Sequence, residues 1–253
     1  GPVTWEEAMK ADPQVQEDLL ELPVVDRKLA QLAKESSTSE LKTNATQARQ
    51  AVVSAEEALV DTRTRIKDLE REVARAENDV ETVRSRIARD QQTLDSGAAT
   101  PKQLTDIQHE LESLGRRQAE LEDVELEIME RMEEATSGLA SAESLLDESR
   151  RRAEETAAQW DRRSDEIASE TVALQGRRAE LVEALPDDLV ALYEKVRDRS
   201  GVGAGLLRHG RCGACQLQLS ASDLSRIREM AADEVVRCEE CGAIMVRTEE
   251  SGL

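Results

Sequence analysis

The sequence predicts a mainly α chain: a long antiparallel α-helical coiled-coil hairpin, then a small domain of short β-strands plus one helix. Three observations predict it. Apolar residues recur every seven positions along two long runs, separated by one short break that carries Gly and Pro. Aromatic residues are nearly absent, with no Phe, one Tyr and two Trp, so ring packing cannot build a large core. All four cysteines lie beyond residue 211, in two Cys-x-x-Cys pairs.

The first run reads Val52, Leu59, Ile66, Val73, Val80, Ile87 and Leu94, in steps of seven. A companion row follows three residues later, from Ala55 and Thr62 through Leu69, Ala76 and Val83 to Asp90. This alternation is a heptad seam, and its 3.5-residue period predicts a left-handed supercoil. The second run begins at Leu104 and continues through Leu111, Met132, Leu139, Leu146, Trp160, Ile167 and Leu174 to Leu181, with Ile107, Leu114, Leu121, Ile128, Ala135 and Ala142 beside it. Gln118 and Glu125 are polar positions within this seam, of the kind that trade stability for register.

Between the runs lies DSGAATPK, residues 95–102. Gly97 suits the end of one helix and Pro101 the first turn of the next. So short a tip makes the arms antiparallel neighbours and sets Leu94 near Leu104, Ile87 near Leu111 and Ile66 near Met132. Arms from Pro13 to near Leu185 would each reach roughly 120 Å at the helical rise per residue. Pro23 predicts a kink, ESSTSE at 35–40 a weak segment, and Gly138 a further bend.

The domain organisation expected is an N-terminal segment with a tag remnant over 1–12, the hairpin over 13–185, a linking helix over 186–200 and the cysteine domain over 201–253. Gly1-Pro2 reads as a protease scar, with Met9 or Val3 as the native start. Leu189, Leu192, Tyr193 and Val196 share one face of the linking helix, which should dock the end domain onto the base of the hairpin.

Charged residues make up 35% of the chain and the net charge is −20. Residues 195–253 hold nine Lys/Arg and nine Asp/Glu, so the whole acidic excess belongs to the front part. No stretch approaches the roughly 18 apolar residues of a membrane span, and no basic-then-apolar leader is present. A cytoplasmic protein is expected.

Cys212 and Cys215 form one pair and Cys238 and Cys241 the other, with 22 residues between them. A knuckle with two intervening residues delivers two thiolates from one turn, and two knuckles complete a tetrahedron. The pattern predicts a zinc ribbon holding one structural Zn2+ through four thiolates, with no ligand position left for water. Disulfides would require an oxidising compartment that nothing else indicates, a redox pair would not require a second copy, and iron shares the same ligand chemistry. Gly213 and Gly242 fit tight turns at the knuckles. QLQL at 216–219, EVVR at 234–237 and AIMV at 243–246 read as strands, and SGVGAG at 200–205 as linker or first strand. SASDLSRIREMA at 220–231 reads as a capped helix, with Ser220 and Asp223 at capping-box spacing and Leu224, Ile227 and Ala231 on one face. His209 could serve as a ligand only if a cysteine were spared, and otherwise reads as a surface residue; His109 reads as solvated.

The segments TPKQL at the tip, CGACQLQL and VVRCEECGAIMV resemble those of a bacterial family that joins a long coiled-coil hairpin to a C-terminal four-cysteine zinc ribbon. The order hairpin, short helix, ribbon is similar as well, so the resemblance spans nearly the whole chain. It implies a predicted nucleic-acid-binding or regulatory role without a shared reaction, in a family with members linked to transcription-factor control and to motility or secretion genes. The family often carries Arg after the glycine of the second knuckle; Ala243 stands there instead, which weakens the transfer of an anion contact to this position.

No Ser-His-Asp or Cys-His constellation, phosphate loop or paired carboxylates can be found, so no enzymatic activity and no small-molecule substrate are expected. Arg208, His209, Arg211, Arg226, Arg228 and Arg237 are the candidate binding residues of the ribbon. Gathered in one patch they would suit RNA or DNA, but the stretch 195–253 that holds them is neutral before metal, stands beside an acidic hairpin, and lacks an aromatic stacking platform. The expectation is therefore a non-enzymatic adaptor or regulatory protein that docks a protein partner through ribbon and hairpin, with a nucleic-acid-binding regulator as the alternative. Homo-oligomerisation is left open by the sequence.

Overall fold

The structure is a computed structural model and describes residues 8–253; the expected protease scar and a start at Val3 lie outside the described residues. Five helices come first: α1 (Pro13–Leu19), α2 (Glu21–Thr38), α3 (Glu40–Asp95), α4 (Pro101–Ala184) and α5 (Asp187–Ser200). The ribbon follows, with β1 (Ala204–Arg208), β2 (Arg211–Cys212), α6 (Ala221–Glu229), β3 (Val236–Arg237), β4 (Ile244–Val246) and a closing 3-10 turn at Glu249–Ser251.

The chain resolves into two compact units. One comprises 43–159; the other joins the N-terminal helices through residue 42 to everything from 160 onward. In the first unit the heptad seam is observed. Leu69, Ala76, Ile128 and Ala135 form one buried cluster, with Ile66, Val73 and Met132 against it. Ala55, Leu59 and Leu146 form another, with Val52, Leu139 and Ala142 alongside. Ile66 thus shares a cluster with Met132, as the short tip requires. Ion pairs cross the seam between Arg63 and Glu143 (3.2 Å), Arg131 and Glu72 (2.8 Å), and Arg150 and Glu56 (2.9 Å). Exposed pairs of this kind contribute up to about 1 kcal/mol each, so burial along the seam dominates and the charges reinforce register.

The tip shows why TPKQL starts a helix. The Thr100 hydroxyl accepts from the Gln103 backbone N–H at 3.3 Å, and the Gln103 side-chain carbonyl accepts from the Thr100 N–H at 2.9 Å. This is a capping box with Pro101 in the first turn, where its missing N–H leaves no helical bond unmade. Gly97 takes a positive φ of 70° just past α3.

The weak points fall partly where expected. The interruption between α1 and α2 lies at Leu20, and Pro23 sits in the first turn of α2. Proline has no N–H to give the Leu19 carbonyl, so the helix stops one turn before the proline itself. Ser39 is extended (φ −59°, ψ 134°) and caps α3, while the Ser37 and Thr38 hydroxyls bond back to the Lys34 carbonyl at 2.9 and 2.8 Å. The helix α4 runs without interruption through Gly138, because one glycine costs only about 1 kcal/mol in a helix of this length.

In the second unit, α5 buries Leu189, Tyr193 and Val196, as its apolar face requires. Leu189 and Tyr193 join Leu19, Leu22, Val25, Leu181 and Leu185 from the helices and Ala204 and Ile244 from the sheet in one core. The sheet order is β2-β1-β4-β3. Strand β1 pairs parallel with β4 (Ala204 with Ile244) and antiparallel with β2 (Leu207 with Cys212), and β3 pairs antiparallel with β4 (Val236 with Met245). The segment before α1 also belongs to this unit. The Ala11 N–H donates to the Asp233 carbonyl at 2.8 Å, and the Val235 N–H to the Met9 carbonyl at 2.9 Å.

Two ribbon assignments differ from the sequence reading. QLQL is not a strand: Gln216 adopts a left-handed φ of 66°, and only Gln218 forms an isolated bridge, to Arg211. In α6, Ile227 is buried, but Ala231 lies beyond the helix end and is exposed; Met230 packs inward in its place. The Ser220 hydroxyl caps α6 by accepting from the Asp223 N–H at 3.1 Å, and it donates to the Asp223 carboxylate rather than receiving a reciprocal bond.

Candidate metal centre

Each knuckle is built by the same local geometry. In the first, the Gln216 N–H bonds the Cys212 carbonyl at 2.8 Å, and the Cys212 N–H bonds the Leu217 carbonyl at 3.0 Å. In the second, the Gly242 N–H bonds the Cys238 carbonyl at 2.8 Å, and the Cys238 N–H bonds the Ala243 carbonyl at 2.9 Å. Gln216 and Gly242 hold equivalent left-handed positions, φ 66° and 77°. The arginine before each knuckle clamps that turn. Arg211 donates to the Gln216 carbonyl at 2.8 Å, and Arg237 to the Gly242 carbonyl at 3.1 Å. Gly213 has a different reason from the turn expected of it. A Cβ there would lie 2.5 Å from the Leu206 carbonyl oxygen, and one on Gly205 would lie 2.5 Å from the Ala214 nitrogen, so the two glycines let β1 press against the first knuckle.

These turns bring the Sγ atoms of Cys212, Cys215, Cys238 and Cys241 within 4.8 Å of one another. The separation is 4.0 Å between Cys212 and Cys241 and 3.8 Å between Cys215 and Cys238. A tetrahedron with Zn–S bonds of about 2.3 Å has edges of about 3.8 Å, so the donor set fits Zn2+. All four cysteines are free of disulfides, and Cys212 and Cys238 are buried within the ribbon core with Leu207, Ile227, Val236 and Met245.

The surroundings of each thiol set what zinc binding must overcome. Burial pushes the Cys212 thiol up to about 12, against the pull of the Cys215 and Ala214 backbone amides. Burial also dominates at Cys241 and raises it. At Cys215 burial opposes ionisation, but the Leu217 amide and the neighbouring thiols hold it below the ordinary thiol value. Binding zinc ionises all four and releases protons. Four thiolates fill the tetrahedron and leave no position for a reacting water, so the chemistry is structural.

The six basic candidates do not form one patch. Arg208, His209 and Arg211 line a cleft beside α2, while Arg226 and Arg237 line a separate hollow shared with Asp223, Glu239 and Glu240. Arg226 pairs with Glu239 at 2.9 Å and Asp223 at 3.6 Å. Arg208 faces Glu250 at 3.8 Å. Arg228 lines neither hollow and is exposed. His209 is exposed with φ 48° and stands outside the cysteine cluster; His109 is exposed on α4.

Three features escaped the sequence reading. Arg247 staples the turn between α6 and β3, donating to the Ala231 and Glu234 carbonyls at 2.7 Å each, and burial lowers its pKa. Asp26 is buried on α2 and accepts from Arg178 and Tyr193. Arg27 lines the cleft beside α2; only the i, i+3, i+4, i+7 spacing of Leu20, Pro23, Val24 and Arg27 could have signalled that these residues share a face.

Comparison with known proteins agrees with this architecture. The CT398-like coiled coil hairpin domain matches residues 22–201, and the C4-type zinc ribbon domain matches residues 211–245. An uncharacterized protein of Mycobacterium tuberculosis is 39% identical over 243 residues, covering 95% of this chain and 98% of that protein. A solved structure from Mycobacterium smegmatis has 37% identity and a TM-score of 0.79, over 95% of this chain and 100% of the other. The structure of CT398 from Chlamydia trachomatis has a TM-score of 0.74 at 14% identity, over 93% and 98% of the two chains, and shows the shared fold. The combination of a coiled-coil hairpin and a four-thiolate zinc site supports a non-catalytic structural or regulatory protein. With the hairpin matched over most of its length and the ribbon over its metal site, the chain belongs to the family of CT398-like coiled-coil hairpin proteins with a C-terminal C4-type zinc ribbon.

Proposed function

We propose that the protein is a non-enzymatic adaptor that docks a partner protein through its zinc ribbon and hairpin helices. One observation carries this reading: the six basic candidates do not converge on one surface, and three of them are engaged within the fold. Arg211 and Arg237 clamp knuckle carbonyls, and Arg226 is paired with Glu239 and Asp223. Phosphate binding depends on free Lys/Arg charge, and residues 201–253 hold six Lys/Arg against eight Asp/Glu, so four thiolates with one Zn2+ leave the ribbon at about −4. A ribbon anchored by α5 and the N-terminal helices is suited to presenting a fixed surface.

The test is affinity capture of the zinc-loaded full chain from native lysate, with and without nuclease. A partner polypeptide retained at near-stoichiometric amount after nuclease treatment is the expected result. Recovery of nucleic acid alone, or loss of every captured protein on nuclease treatment, would replace the adaptor with a nucleic-acid binder.

A further inference from the structure

The cleft beside α2 supplies what an adaptor requires, and the inference drawn from it rests on the adaptor reading above. It is a half-open hollow of about 480 Å³, a volume within the range of about 300–1,000 Å³ typical of ligand pockets. One wall is Leu20, just before α2, with the face of α2 that carries Pro23, Val24 and Arg27; the other is β1 and the first knuckle. Its chemistry is sharply one-sided. Arg27, Arg208, His209 and Arg211 all line it and no carboxylate does, in a chain of net charge −20; its one anionic group is the Cys212 thiolate of the zinc site, which is fully buried.

These cations differ in availability. Arg27 is exposed and has no hydrogen bond or ion pair among the described residues. The Arg208 pair with Glu250 is loose, at 3.8 Å and with both side chains more than half exposed. Arg211 commits one nitrogen, Nη1, to the Gln216 carbonyl. Between them lies an apolar floor on which Val24 is 43% exposed, although the same helix buries Leu22 and Val25 completely or nearly so.

We propose that this cleft seats a short acidic peptide segment of a partner protein, with an apolar side chain on the Val24 floor and carboxylates on Arg27 and Arg208. Charge complementarity selects the sign of the ligand. The apolar floor and the small hollow select a peptide over a nucleic acid: no aromatic side chain lines the cleft to stack a base. A polyanion would also have to continue past the cleft, where the exposed Glu250 stands beside Arg208. A peptide with one or two carboxylates ends before that repulsion begins.

The test uses the zinc-loaded full chain as bait for a phage-displayed library of random short peptides. Enriched peptides are then titrated by fluorescence anisotropy. Enrichment of Asp or Glu beside Leu, Ile or Val is expected, with affinity falling about tenfold or more in Arg27→Glu and in Val24→Asp, the scale of losing one central interface contact. Lys28→Glu, on the adjoining face, should bind as the unaltered chain does. The three positions are exposed, so circular dichroism should show the same helix content in each variant. No enrichment, enrichment without acidic residues, or affinity indifferent to both cleft variants overturns the proposal. An oligothymidine probe that binds at physiological salt and is lost in Arg27→Glu overturns it in favour of nucleic acid. If the nuclease-resistant partner is still captured by Arg27→Glu, the cleft fails and the adaptor survives; if no partner is captured at all, the adaptor reading fails with it.

Discussion

Tyr193 is the one tyrosine of the chain, and its hydroxyl donates to Asp26 Oδ2 at 2.6 Å. Asp26 is 7% exposed, receives Arg178 on Oδ1 at 2.6 Å, and has Arg197 at 3.5 Å; Glu194 in turn pairs with both arginines. Burial alone would raise the Asp26 carboxyl, but Arg178, Tyr193 and Arg197 together hold it below the usual carboxylate range. Burial and the Asp26 carboxylate push Tyr193 up, so it stays a donor. A depressed folded pKa means that this stabilisation is complete above the unfolded value of about 3.9 and is lost as pH falls through the lower folded value. Asp26→Asn should therefore cost about 3 kcal/mol at neutral pH, the scale of a broken buried pair, and should flatten the acid limb below about pH 4. Tyr193→Phe should cost about 1–2 kcal/mol and flatten the acid limb less than Asp26→Asn does, because the arginines remain. Urea unfolding at pH 7 and pH 3 measures both, and an unchanged acid limb in Asp26→Asn would show that the carboxylate is not the linked group. The burial of Asp26 could have been read from its position after Val25 in an apolar stripe, which puts it on the inward face, although the sequence reading missed it. Its partners could not, because they lie 152 and 167 residues away.

At the scale of elements, legibility followed the strength of the local signal. The seam was readable because it repeats: Leu59, Leu69, Ala76 and Val80 are buried where the heptad placed them. Helix ends were readable where capping chemistry is local, as at Thr100 and Ser220. QLQL failed because alternation over four residues cannot outweigh the knuckle, whose hydrogen bonding forces Gln216 into a left-handed turn. Asp90 is where the seam conflicts with itself. It occupies a companion position of the first run, and its Oδ2 is buried with no hydrogen-bond partner among the described residues. An unmet buried oxygen costs on the order of 1–3 kcal/mol. Asp90→Leu should therefore stabilise the hairpin by about 1 kcal/mol and raise its melting temperature, as read by circular dichroism at 222 nm. A lower melting temperature would show that the carboxylate reaches water or a partner in solution and that the position has no room for leucine.

For the molecule as a whole, the two units draw their stability from different sources, and zinc removal should separate them. The unit over 43–159 buries its seam between long helices, and the cluster of metal-ligating side chains found among the described residues lies outside it. The ribbon core includes two of the ligands themselves, Cys212 and Cys238, beside only a few apolar side chains. Four thiols released from zinc would reprotonate inside that core, and the binding free energy lost, on the order of 10 kcal/mol or more, exceeds what so small a core supplies. The loss should not stop at the sheet. Ala204 and Ile244 belong to the same core as Leu19, Leu22, Leu185 and Tyr193, and Met9 and Ala11 are bonded to the segment before β3. Chelation with excess EDTA should abolish amide-exchange protection through β1–β4 and α6, weaken it in α1, α2 and α5, and leave α3 and α4 protected between residues 43 and 159. Mild acidification should do the same, because protons compete with zinc for the thiolates. Uniform loss of protection along the hairpin would mean that the metal stabilises the seam as well. An intact ribbon after verified zinc removal would mean that its small core folds without the ion, and the structural assignment of the metal would fall.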